Sequence, residues 1–188
     1  IAVRHREAEL RASMAQMAET GMRSVILIGG GEPTLYPGVA DFVVNTHHCP
    51  EAYSTLFPEN SYRGCPLTLR HEPVLLETAG GIWNVRDHLA DGTFLVYNGD
   101  ILSDLPIEPA IRAHFDRGHE VTMILRSKDG PLQVAFDAGS ARVTDIGKLV
   151  DPTAEPRFLF PGIYVVRPAF IRRIPAATKI SAVPIFCA

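Results

Sequence analysis

Apolar residues recur along this chain in two rhythms, one of helical spacing and one typical of strands. Between residues 7 and 20, Leu10, Met14 and Met17 fall on one face, which predicts a helix stopped by Gly21. Ser24–Ile28 and residues 41–45 are short apolar runs of the kind that fill a strand covered on both faces. Ile82, Val85 and Leu89 form one stripe of a helix over residues 80–89, with the pair Gly80 and Gly81 at its opening, and a strand over 93–98 follows. Residues 107–117 repeat the helical pattern with Ile111 and Phe115, close at Gly118 and feed a strand over 120–126. This alternation predicts a three-layer α/β sandwich with a mostly parallel sheet, the strands 24–28, 41–45, 93–98 and 120–126 sharing that sheet.

The rhythm changes after Ser127. Residues 131–137 and 141–146 flank Asp137, Ala138, Gly139 and Ser140, which reads as a hairpin. A further strand is expected over 158–166, and Pro168 opens a short helix over 168–174. The last residues, 181–188, form an apolar run with no cap or tail, so the chain is expected to continue in a longer parent.

Composition narrows the classes. The chain has 188 residues, 46% hydrophobic and 21% charged, enough for one well-buried domain. A formal charge of -3 gives no basic footprint for nucleic acid, so no nucleic-acid partner is expected. The longest apolar runs are far too short to span a bilayer, and no secretory signal opens the chain, although it also lacks an initiator Met. Cys49, Cys65 and Cys187 are odd in number and widely spaced, which fits reduced thiols in the cytoplasm better than a zinc knuckle or a disulfide framework. His47 and His48 are neighbours, and in a strand they would face opposite ways, poorly placed to share a metal.

The candidate chemistry lies between residues 69 and 102. A glycine pair is followed by a strand that ends in Asn98, Gly99 and Asp100. In an open α/β sheet, ligands gather beyond the carboxyl ends of the strands, and Asp100 falls where a metal-bound phosphate would lie. Each residue also has a plainer reading. Asp100 could cap the turn after its strand, Glu77 could be a solvated charge, and Gly162 could serve packing or a bulge. Asp104 and Asp145 read as surface or turn residues.

Four segments, in order, resemble the sugar-1-phosphate nucleotidyltransferases from about Val43 to Ala188. They are Val-Val-Asn-Thr-His-His-Cys-Pro-Glu at 43–51, Leu-Leu-Glu-Thr-Ala-Gly-Gly-Ile at 75–82, Phe-Leu-Val-Tyr-Asn-Gly-Asp at 94–100 and Phe-Pro-Gly-Ile-Tyr-Val-Val at 160–166. The flavour is nearest to mannose-1-phosphate guanylyltransferases and N-acetylmuramate-1-phosphate uridylyltransferases. The resemblance implies a Rossmann-like sheet of the nucleotide-diphospho-sugar transferase type. It implies a reaction in which a sugar 1-phosphate attacks the α-phosphorus of a nucleoside triphosphate and pyrophosphate leaves. Asp100 matches the family's magnesium-binding, catalytic aspartate, with Mg²⁺ as the cofactor. Glu77, Gly80, Gly81, Asn98, Gly162 and Lys148 match positions near the nucleotide or the sugar phosphate, Lys148 in a poorly kept motif.

Residues 1–42 depart from that pattern. The family's glycine-rich Gly-x-Gly-Thr-Arg loop and Lys-Pro segment are absent, and Gly-Gly-Gly-Glu-Pro-Thr-Leu-Tyr-Pro at 29–37 carries no Arg or Lys. By its letters, 20–43 instead resembles a piece of a radical S-adenosylmethionine enzyme, yet the chain has no C-x3-C-x-x-C trio to hold the cluster. The sequence therefore divides into an atypical N-terminal segment, 1–42, and a nucleotidyltransferase-like domain, 43–188, in which a second metal aspartate would lie beyond residue 188. The enzyme reading competes with that of a binding or regulatory module that holds nucleotide without turning it over.

Overall fold

Side chains alternate across a strand, so a run of consecutive apolar residues needs a core on each face. In β2 (Asp41–Thr46), Phe42 and Val44 enter one core while Val43 enters the other. β5 (Phe94–Asn98) divides in the same way, with Leu95 and Tyr97 on one side and Phe94 and Val96 on the other. β10 (Ile163–Val166) repeats it, Ile163 and Val165 opposing Tyr164 and Val166. The computed structural model describes residues 24–28, 41–48, 50–62, 64–89, 92–98, 105–128 and 130–187. The expected helix over 7–20 lies outside them.

These strands belong to one seven-stranded sheet of order β3-β4-β2-β1-β5-β10-β6, completed by β1 (Ser24–Ile28), β3 (Ser61–Tyr62), β4 (Cys65–His71) and β6 (Val121–Met123). β4, β2, β1 and β5 run parallel, whereas β10 is antiparallel to both of its neighbours and β3 to β4. All four strands expected in one sheet are there. β1, which the sequence reading places in the N-terminal segment, pairs with β2 on one side and β5 on the other.

Helices cover both faces, as a three-layer α/β fold requires. α1 (Pro50–Leu56) and α3 (Glu108–Arg117) lie over the first core, α3 contributing Ile111. α2 (Glu77–Asn84), a 3-10 turn at Pro168–Arg173 and α4 (Val183–Cys187) lie over the second, with Ile82, Phe170 and Ile185. α3 ends at Gly118 in the left-handed conformation, as its sequence predicts. Among the described residues, no helix is long and apolar enough to cross a membrane.

Three elements depart from expectation. α2 begins at Glu77 and not at Gly80, so the glycine pair sits inside the helix and does not open it. β4 gives no clear strand signal because Pro66 lies within it and Arg70 and His71 close it, features tolerated near a sheet edge where only the two-residue β3 lies beyond. The strand expected over 158–166 is broken. Its first part, β9 (Arg157–Phe158), joins a small sheet with β7 (Val134–Asp137) and β8 (Arg142–Ile146) in the order β8-β7-β9, and its second part is β10 of the large sheet. Between the two, Gly162 takes a φ of 93°. The β7–β8 hairpin turns as expected, Asp137 accepting the N–H groups of Gly139 and Ser140 at 3.0 and 3.1 Å.

His114 on α3 is fully buried, with Nδ1 at 2.9 Å from the Thr122 hydroxyl and no partner at Nε2 among the described residues. Burial first, and then the positive charges of Arg167 and His119, push its pKa from 6.5 down to about 4. The unfolded chain therefore takes up this proton before the folded one does. Stability should fall as pH drops from about 6.5 to about 4 and this contribution should then level off. Urea denaturation across that range should show the slope, and His114→Gln should flatten it.

Candidate active site

The carboxyl ends of β2, β1 and β5 lie side by side. Ile28 of β1 pairs with Asn45 of β2 and with Asn98 of β5, so the two asparagines stand at one level on either side of β1. Asn45 is buried. Its Nδ2 donates to the Gly81 carbonyl at 3.0 Å and to the Glu72 carboxylate, and these two acceptors fix which way round the amide sits. Among the described residues, Oδ1 is left buried without a partner.

Glu72 is buried as well, only 3% exposed, directly after β4. Its Oε2 accepts the Leu76 N–H at 3.1 Å, its own N–H donates to Thr46 O at 2.7 Å, and its carbonyl accepts Nδ1 of His47 at 2.7 Å. Three chain segments, at the ends of β2 and β4 and at the start of α2, are thereby locked together.

The glycine pair makes this possible. A Cβ on Gly81 would lie 2.9 Å from Asn45 Nδ2 and 3.1 Å from Glu72 Oε1, and one on Gly80 would lie 2.5 Å from Thr178 O. Two of the free N–H groups in the first turn of α2, those of Ala79 and Gly80, donate to Ile180 O at 3.0 and 3.1 Å. Thr78 Oγ1 accepts the Ala182 N–H at 2.8 Å. Segment 178–182 thus closes over this end of the helix. Glu77 is exposed and left-handed, with a φ of 60°, a conformation that costs a residue with a Cβ roughly 1–2 kcal/mol.

Asn98 and Gly162 also come together. The Asn98 N–H donates to Gly162 O at 3.2 Å, and a Cβ on Gly162 would lie 2.2 Å from Asn98 Nδ2. Asn98 Oδ1 is buried with no partner among the described residues, like that of Asn45. Asp100 and Asp104 lie outside the described residues, as does the segment at 29–37. Among the described residues, no group of three or more His, Cys, Asp or Glu is arranged to hold a metal ion.

Lys148 stands apart from this cluster, exposed in the turn after β8 with a φ of 65°. Its N–H donates to Asp145 at 2.8 Å. Asp145, read from the sequence as a surface or turn residue, is in fact buried and paired with Arg157. Burial works to raise its carboxyl pKa, but the N–H groups of Val150, Arg157, Asp151 and Lys148 outweigh that and hold it well below the usual carboxylate range.

Asn45, Glu72 and His47 escaped the sequence reading as site residues. Asn45 ends an apolar strand and is followed by three polar residues, which is a usable signal. Glu72, between a histidine and a proline, has the letters of a surface loop and gives none.

No family model matches the chain. The mannose-1-phosphate guanylyltransferase of Mycobacterium tuberculosis is 28% identical to it over 147 residues, covering 77% of this chain and 40% of that protein. Over about three quarters of its length the chain is similar to sugar-1-phosphate nucleotidyltransferases. The UTP–glucose-1-phosphate uridylyltransferase of Synechocystis is 25% identical over 160 residues, 76% of this chain and 41% of that protein. HddC from Yersinia pseudotuberculosis, solved in complex with GMP-PN, superposes with a TM-score of 0.66 at 16% identity, covering 86% of this chain and 84% of that one. This last likeness bears on the fold. The chain spans about two fifths of the length of the curated relatives that it matches.

The closeness of α2 is testable through Gly80. A glycine-to-alanine change in an ordinary helix interior stabilises by up to about 1 kcal/mol. Here the new methyl meets backbone, and Gly80→Ala should instead lower the unfolding free energy by about 1–3 kcal/mol in urea denaturation. A stabilised variant would contradict the packing.

Proposed function

We propose that the chain forms the nucleotide-handling part of an enzyme that joins a nucleoside triphosphate and a sugar 1-phosphate to give a nucleotide sugar and pyrophosphate. One observation carries the reading. Asn45 and Asn98 stand at the carboxyl ends of parallel strands with buried oxygens that have no partner among the described residues, where open α/β sheets take their ligands. Such oxygens accept donors from a ligand's base or hydroxyl groups. Gly81 and Gly162, each packed against one of these asparagines, keep the amides in place. The relatives named for guanylyl and uridylyl transfer support the reaction class and leave the base and the sugar open.

Asp100 is the candidate magnesium ligand. It follows Asn98 by two residues, and the orphaned Asn98 oxygen is a hard donor suited to a hard cation. Bound there, magnesium would neutralise charge on the phosphates. Calorimetric titration of GTP and UTP with and without magnesium should give metal-dependent binding in the wild type and a lost metal dependence in Asp100→Asn. Equal metal dependence in both proteins would reject the assignment.

A second reading, binding without turnover, is favoured by the segment at 29–37, which has no Arg or Lys for the triphosphate. Loss of a single preorganised donor costs enzymes roughly 100- to 1000-fold in rate. The 188 residues should therefore release pyrophosphate very slowly from GTP, UTP, dTTP or CTP with a panel of sugar 1-phosphates. Robust magnesium-dependent release would show that the segment at 29–37 replaces the usual basic loop.

A further inference from the structure

A cavity of about 440 Å³ lies away from the candidate active site, between two outer strands. One is β6, last in the large sheet, and the other is β8, at the end of the small one. Val121 and Met123 of β6, Phe136 of β7, Val143 of β8, Val150 and Phe186 of α4 give it apolar walls. Val143 and Val150 are 37% and 60% exposed. Proteins shield an open strand edge beside such apolar side chains with a helix or loop. The charges along the cavity are mostly settled, Asp145 by Arg157 and Glu120 by Arg173 at 3.0 Å. Arg142, exposed at its rim, has no ion pair among the described residues, so the cavity favours an acidic occupant.

Strand register shows which part of the chain can reach it. Ser24 pairs with Phe94, Phe94 with Val166 and Val166 with Val121, so the amino end of β1 is level with the first residue of β6. The two are three strand spacings apart, roughly 14 Å. Residues 1–23 lead into β1 at that level. Residues 21–23 span up to about 10 Å, and a helix over 7–20 about 21 Å more, so the segment has the length to cross to β6. Its stripe of Leu10, Met14 and Met17 is apolar, and methionine adapts to irregular surfaces. Glu7, Glu9 and Glu19 outnumber Arg11 there, a charge opposite to that of Arg142.

We propose that residues 7–20 dock as an amphipathic helix in this cavity, with Leu10, Met14 and Met17 against the apolar walls and the acidic residues toward Arg142. The tether through residues 21–23 raises the segment's effective concentration at the cavity above that of a second copy or a separate peptide. The docked helix shields the edge of β6 and occupies the space that a small ligand would otherwise enter. It also anchors the amino end of β1, the strand whose other end stands between Asn45 and Asn98.

Hydrogen exchange of the full 188-residue chain, read by mass spectrometry, tests this. In the wild type, amides in residues 10–17, 119–125 and 141–146 should be protected together. Met14→Glu sets a charge in the apolar contact and should speed exchange in all three segments roughly tenfold, while the central strand at 94–98 stays slow. Val150→Glu alters the cavity side at a position already exposed, and it should release residues 10–17 in the same way; it decides the matter if Met14→Glu does not fold. Residues 10–17 that exchange like an unfolded chain in the wild type would overturn the proposal, as would exchange at 119–125 and 141–146 that neither variant changes. Protection that fades on dilution would assign the cavity to a second copy of the chain and overturn it as well.

Discussion

The approach of α2 to the end of β2, closer than any residue with a Cβ allows, is the constraint on which the candidate site depends. Gly81 stands where a methyl group would collide with both Asn45 and Glu72. With that methyl absent, a single amide bridges the Gly81 carbonyl and the Glu72 carboxylate. Any retreat of the helix would strip a donor from a buried carboxylate that has no cation partner among the described residues, and leaving such a group unsatisfied costs far more than an ordinary hydrogen bond returns. Helix, strand end and loop are therefore held in register by one contact.

The same physics appears at a second place. Glu72 and Asp145 are buried acids that accept backbone N–H groups from the loop beside them, one from Leu76 in the first case and three in the second. Each loop then displays apolar side chains that it could otherwise have buried, Val74 and Leu75 at 64% and 48% exposure in one case, and Leu149 and Val150 in the other. Loops fixed by carboxylates keep their shape without a core of their own. That suits segments at the border of a binding region, where rigidity lowers the entropic cost of capture.

Much of the architecture was legible because the strands of a doubly covered sheet are continuous apolar runs, as at Phe94–Asn98 and Ile163–Val166. Helix α3 was legible through Ile111 and its Gly118 stop. β4 was hidden by Pro66 and its basic end, since strands near an edge tolerate letters that a central strand does not. For the site, proximity in the sequence marked Gly80 and Gly81, and family likeness marked Asn98 and Gly162, but no local pattern relates Asn98 to a glycine 64 positions later. Nor does composition tell a buried Glu72 from a surface one. Those relations come from strand order and from the corner at Gly162, which carries the chain from the small sheet into the large one.

The proposed ligand site lies at the carboxyl ends of β2, β1 and β5, and not in the cavity of about 440 Å³ between β6 and β8, which none of Asn45, Glu72, Gly81 or Asn98 lines. Amide NMR spectra recorded while GTP and magnesium are added test it most directly. Shifts should concentrate at Asn45, Glu72, residues 77–81, Asn98 and Gly162. Shifts confined to Val121, Met123 and Val143, beside the other cavity, would contradict it.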